Sequence, residues 1–199
     1  MRVITFFDGQ NLYHSVKKVF GYYYPNYNIQ KLSQLICNQN DWRLIESRFY
    51  TGIPKNKDNN FWHSFWNLKL GSMRRKKDIF VYSRSLRYIY KNIQYPNGQE
   101  EKILVGDEKG IDVRIAIDII RLAHKNKYDI ALIFSQDQDL SEVSEEIREI
   151  AREQNRFIKL ISCFPKGKNQ RGINKTDWFA FDKDFYDQCL DARNYLKKK

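Results

Sequence analysis

The stretch ALIFSQDQDL, residues 131–140, decides the fold. Ile130 to Phe134 is an unbroken apolar run of strand length, and it stops abruptly at Ser135, Gln136, Asp137, Gln138 and Asp139. A strand without a polar face is buried on both sides, as in parallel sheets covered by helices. Two carboxylates at the tip of such a strand need a reason, because a buried charge without a partner is very costly.

Working outward, the preceding segment GDEKGIDVRIAIDIIRLAHKNKYD reads as a helix, and a further helix from about Asp139 to Gln154 leads into a strand over FIKLISC. At the start of the chain, Arg2 to Phe7 forms a strand that Asp8, Gly9, Gln10 and Asn11 turn into a helix running to about Phe20. Asn28 is a candidate cap for a helix over IQKLSQLICN, followed by a strand over RLIESRFYTG and, after a polar loop, an aromatic helix FWHSFWNLKLGSM. DIFVYSR is another strand, and Leu86 to Val105 reads as a hairpin turned by Pro96, Asn97 and Gly98. From Asp182 onward the tail reads as a terminal helix ending in Lys197, Lys198 and Lys199. Alternating strands and helices predict an α/β fold with a mainly parallel central sheet and the hairpin beside it. The expected organisation is one domain over 1–181, with a C-terminal helix and basic tail over 182–199.

The 199 residues carry 35 Lys and Arg against 24 Asp and Glu, a formal charge of +11 that suits a polyanionic partner, nucleic acid first. Cys37, Cys163 and Cys189 form no C-x-x-C pair, so neither a disulfide framework nor a thiolate zinc site is indicated, and a reducing cytoplasm is expected. No apolar run reaches the about 18 residues of a membrane span, and Met1 leads straight into a strand rather than a leader.

In an open parallel sheet, ligands bind beyond the carboxyl ends of the strands. Asp8 and Asp137 directly follow two strands, and Asp112 sits in the first turn of the middle helix, where it also suits the helix dipole. On that helix Ile111, Ile115, Ile119 and Leu122 share a stripe that includes Asp118, either a structural acid satisfied by arginine or backbone or a member of the site. Asp139 with Glu142 fits a capping box as well as a metal-binding role. Carboxylates gathered in one crevice take up protons unless cations neutralise them, and hard divalent ions such as Mg²⁺ or Mn²⁺ suit all-oxygen ligands. The aromatic residues of the third helix, Phe61, Trp62, Phe65 and Trp66, and the loop residues Tyr22, Tyr23, Tyr24 and Tyr27 fit either core packing or base stacking. His14 lies one turn after Asn11, without a paired histidine.

Together, DGQN after the first strand, KGIDVRIAID on the middle helix and SQDQDL after the next strand resemble the NYN domain family (LabA-like) of PIN-like ribonucleases, over about residues 2 to 165. The resemblance implies a three-layer α/β/α PIN-like (Rossmannoid) fold with a β-hairpin insertion, and a metal-dependent ribonuclease. Carried onto this chain, Asp8, Asp112 and Asp137 would be the principal metal-binding carboxylates, Asp139 a further ligand, and Asn11 would orient Asp8 or a metal water. Asp118 and Ser135 would support them from behind. Lys109 would meet a phosphate, and Arg74, Arg75, Lys76, Lys77, Lys166, Lys168 and Arg171 would grip RNA, in single-stranded regions. The family pattern S-G-D-S-D is altered here: Gln136 and Gln138 replace small residues, implying changed substrate access. A homodimer is compatible with this reading. The rival is a non-catalytic RNA- or protein-binding module on the same fold; an early D-x-D and a phosphate-binding G-x-x-x-x-G-K-[ST] are both missing, which disfavours a small-molecule phosphohydrolase.

Overall fold

A computed structural model describes residues 1–95, 98 and 100–196, with Lys91, Leu104, Val105 and Asp107 described by their backbone alone. Six strands, β1 (Arg2–Asp8), β2 (Arg43–Ile53), β3 (Ile79–Ser85), β6 (Ile130–Phe134), β7 (Lys159–Pro165) and β8 (Asp177–Phe181), form one sheet in the order β3-β2-β1-β6-β7-β8. Every pairing in it is parallel. The hairpin of β4 (Arg87–Gln94) and β5 (Glu100–Asp107) is a separate antiparallel pair, as expected. Of the turn residues assigned to it, Pro96 and Asn97 lie outside the described residues, as do Lys197 to Lys199.

Helices α1 (Gly9–Phe20), α2 (Ile29–Gln39) and α3 (Asn60–Arg74) cover one face, and α4 (Ile111–His124) and α5 (Val143–Glu153) the other. The period-two alternation of a strand makes β1 a divider: Val3 and Phe7 join the first core, Ile4 and Phe6 the second. Phe7 stacks on Phe134 of β6 with ring centroids 4.0 Å apart and planes 7° from parallel. Burying rings of this size contributes about 1.5–3 kcal/mol each, and this pair locks the two central strands just below their carboxyl ends.

Helix starts follow local chemistry. Asp8 caps α1 through the Asn11 N–H, and Asn28 caps α2 through the N–H groups of Gln30 and Lys31. Gly21 ends α1 with φ 79°, the left-handed conformation that glycine adopts freely.

Three expectations are corrected. Residues 138–142 form a 3-10 turn rather than the first turn of an α-helix, and its cap is Asp137, not Asp139, because the Asp137 Oδ1 accepts the Asp139 N–H at 3.0 Å. The segment DWFAF forms β8, which its exposed, partly polar edge-strand residues concealed. The tail holds only a short helix, α6 (Lys183–Asp187); beyond it the backbone pairs with the loop 26–28, where Asn28 N–H donates to the Cys189 carbonyl and Asp191 N–H to that of Asn26.

Candidate active site

The sheet's connections diverge between β1 and β6: the chain moves from β1 toward β2 and β3, and from β6 toward β7 and β8. A crevice opens beyond the carboxyl ends of adjacent strands at such a point. Asp8 ends β1, and Asp137 stands three residues past the end of β6. Gly9 is needed between the strand and α1, because a Cβ there would lie 2.5 Å from the Phe49 ring.

Asp8 is only 6 % exposed and its Oδ1 accepts the Asn11 N–H at 3.0 Å. Burial, helped by the nearby charges of Asp137 and Asp112, pushes its pKa up to about 6, against the lowering effect of the Asn11 and Gln10 N–H groups. Asp112, half-buried in the first turn of α4, thus belongs electrostatically to the same cluster. Asn11 acts twice: its backbone holds Asp8, and its amide oxygen accepts the Gln136 N–H at 3.0 Å, tying α1 to the loop after β6. Ser135 is buried; its Oγ accepts the Asp137 N–H at 3.2 Å and its carbonyl accepts the Ser162 hydroxyl at 2.8 Å. Asp139 is exposed on the rim.

A further acid, Glu108, was not anticipated. Glu108 accepts a hydrogen bond from the Gly52 N–H, and burial first, then the charge of Asp8, raises its pKa to about 8, with Asp112 adding to the effect. Its only signal in the sequence is its place directly before Lys109, Gly110 and Asp112, a motif otherwise read for its aspartate.

Asp118 sits among arginines. It is fully buried, and its Oδ2 accepts from the Tyr50 hydroxyl at 2.9 Å, Arg114 Nε at 3.1 Å and Arg48 Nη2 at 3.3 Å, with Arg121 Nη2 3.4 Å from Oδ1. Tyr50 is the β2 partner of Asp8 in register, so this arginine cage braces the strand beside the site.

The basic residues divide into two groups. Lys166, Lys168 and Arg171 stand on the loop between β7 and β8, and Lys109 lies beside Glu108 at the entry to α4, its carbonyl accepting from Arg84 at 3.2 Å. Arg74, Arg75, Lys76 and Lys77 run from the end of α3 toward β3, the far edge strand, away from the β1/β6 crevice. There Arg74 bonds Ser83 at 3.0 Å and Lys76 bonds Gln30 at 2.6 Å. The two glutamines do not simply enlarge the loop. Gln136 donates to the Arg171 carbonyl at 2.7 Å while its oxygen accepts from Ser15 at 2.7 Å; Gln138 donates to Gly172 O and accepts from Asn174 N, both at 3.1 Å. They strap the basic loop to the site.

Among the described residues, no group of three or more His, Cys, Asp or Glu side chains is drawn together as a ready metal cage. The donor chemistry nevertheless fits a hard cation. Every candidate is a carboxylate oxygen, and burial first, then the charges of Asp137 and Asp112, raises the pKa of Asp8 to about 6, a cost that a bound cation would offset. Mg²⁺ requires only one or two carboxylates, because waters and substrate phosphates complete its shell.

A parallel α/β sheet with acids at its switch point is consistent with a PIN-like class of domain. The NYN domain model matches residues 2–166, and the chain belongs to that family. No curated protein matches. A solved protein of unknown function from Vibrio parahaemolyticus is similar over 95 % of both chains, with a TM-score of 0.51 and 17 % identity, which shows a shared fold. Ribokinase from Giardia lamblia aligns at a TM-score of 0.36 and 10 % identity over 66 % of this chain and 38 % of its own, too distant to carry an argument.

Proposed function

We propose that this protein is a metal-dependent ribonuclease that hydrolyses phosphodiester bonds in single-stranded RNA. The observation that carries the reading is the placement of Asp8 and Asp137 at the β1/β6 switch point with Asp112 electrostatically coupled to them.

Asp8, Asp112 and Asp137 would hold Mg²⁺ or Mn²⁺, with Asp139 reachable from the rim. When bound, such an ion supplies charge stabilisation at the phosphate oxygens and a water that ionises near neutral pH. The rest falls to the chain. Asn11 and Ser135 fix the two aspartate-bearing turns, so the carboxylates are positioned before substrate arrives. Glu108, with its pKa near 8, holds a proton on its carboxyl at neutral pH when no cation is near, which lessens repulsion in the crevice. Lys109, Lys166, Lys168 and Arg171 would meet phosphates along the strand, in keeping with the net charge of +11. Cys37, Cys163 and Cys189 are all buried free thiols, which suits a reducing cytoplasm.

Cleavage of an end-labelled single-stranded RNA in MgCl2 or MnCl2 tests this. It should stop with EDTA and fall in Asp8→Asn and Asp137→Asn while RNA binding persists. Binding without cleavage under either metal would instead establish the non-catalytic binding module.

A further inference from the structure

Beside the acids lies a groove that the proposed chemistry does not use. Its first part, a cavity of about 540 Å³, is bordered by Gln10, Asp58, Tyr88 and Glu108. Its second, of about 290 Å³, is bordered by Tyr13, Lys17 and Trp62. Gln10, His14, Pro54 and Leu86 line both, so the two form one channel from Glu108 along the exposed side of α1. The first part alone falls within the about 300–1,000 Å³ typical of small-ligand clefts.

The channel changes chemistry along its length. At the inner end Glu108 feels the charges of Asp8 and Asp112. At the outer end two aromatic rings stand together: Tyr13 and Trp62 have centroids 6.1 Å apart and planes tilted by 51°. The Tyr13 hydroxyl donates to the Tyr23 carbonyl at 2.8 Å, and the Trp62 N–H of the backbone is capped by Asn59 at 3.0 Å, so both rings are held on fixed backbone. Trp62 is not closed into the core as Phe65 and Trp66 are; it is half-buried and faces the channel. Lys17, exposed, follows one turn after Tyr13 and supplies a cation beyond the rings.

We propose that this channel is the subsite for one unpaired nucleotide of the RNA strand, adjoining the phosphate at the acids, with Tyr13 and Trp62 taking the base and Lys17 its outer phosphate. The identity of the strand rests on the ribonuclease reading; the channel's chemistry does not. Aromatic rings accept any base face, whereas a duplex keeps its bases stacked internally and out of reach. Gln10, whose amide donates to the Gly52 carbonyl at 3.2 Å, and His14, whose pKa is lowered by partial desolvation and by the charge of Lys17, border the base from α1.

The test measures affinity of the full chain for a fluorescein-labelled 12-residue oligoadenylate in EDTA, with a 12-base-pair RNA duplex as control. Trp62→Leu and Tyr13→Leu should each weaken single-strand binding about fivefold or more, the low end of one base–aromatic stack, and leave duplex binding unchanged. Lys17→Ala, on an exposed site that does not threaten folding, should weaken binding and flatten its salt dependence. Wild-type affinity and salt dependence in Lys17→Ala, or equal losses on strand and duplex in folded Trp62→Leu, would overturn the subsite. The two proposals fail separately: selective loss in Trp62→Leu without cleavage in any divalent metal removes only the nuclease reading, and metal-dependent cleavage with silent groove variants removes only the subsite.

Discussion

Asp8 and Asp118 are both buried aspartates on the sheet's α4 side, yet their surroundings assign them opposite work. Asp118 is enclosed by Arg48, Arg114, Arg121 and the Tyr50 hydroxyl, whereas Asp8 has two backbone N–H groups and two neighbouring carboxylates. Asp118→Asn should therefore cost about 1.5–3 kcal/mol in urea unfolding, because it weakens charge-assisted hydrogen bonds while Arg48 keeps Glu46 and Arg114 and Arg121 reach solvent, and should leave cleavage per folded molecule nearly unchanged. Asp8→Asn should do the reverse, and a stability loss there as large as in Asp118→Asn would refute the distinction. Lys69 offers a pH test. It is wholly buried, donates to the Tyr27 carbonyl at 2.8 Å and lies 3.4 Å from Asp191, but burial outweighs the acid and lowers its pKa to about 8. The unfolded chain then binds more protons between pH 8 and 10.5, so stability from this group rises with pH across that window and is lowest below it. Relative to Lys69→Met, the wild type should gain up to about 3 kcal/mol between the two ends. Parallel pH profiles for the two proteins would sink the prediction.

The elements that carry the acids were legible because their signals are local. An apolar run such as Ile130 to Phe134 has no polar face to offer solvent, and DGQN places a cap residue directly after a strand. Elements fixed by remote pairing were not legible. β8 exists because Ser162 to Pro165 of β7 needed a parallel neighbour, and the post-α6 segment is held by the loop 26–28 rather than by its own helix bonds. The role of the glutamines was hidden for the same reason, since their partners at Arg171, Gly172 and Asn174 lie more than thirty positions away. Replacing Gln136 and Gln138 by alanine removes hydrogen bonds worth about 0.5–1.5 kcal/mol each. Amide exchange should accelerate across residues 168–174 while β7 keeps its protection, and single-strand affinity should fall. Unaltered exchange in that loop would show that the strap is dispensable.

At the scale of the whole molecule, the +11 charge is unevenly useful. Lys109 stands at the entry to α4 and the cations of the β7–β8 loop on a segment that Gln136 and Gln138 tie to the loop after β6, while Arg74 to Lys77 occupy the opposite edge of the sheet. For single strands each neutralised phosphate contributes about −0.7 to the slope of log K against log salt, so four contacts give about −3. Lys166→Ala and Lys168→Ala should each reduce the magnitude of that slope, and a pair of alanines at Arg75 and Lys77 should not. A reduced slope in the latter pair would extend the RNA path across the β3 edge.

Among the described residues, the β4–β5 hairpin pairs with no strand of the main sheet, and a two-stranded ribbon is marginal on its own. Its amide exchange should therefore be faster than that of the central strands β1 and β6, whose opening requires the main sheet to come apart. Its residues Tyr88 and Gly106 wall the channel beside the acids. If the channel is the proposed subsite, opening of this ribbon would admit a strand without unfolding β1 or β6, so heat inactivation should track global unfolding even where exchange in the ribbon is fast.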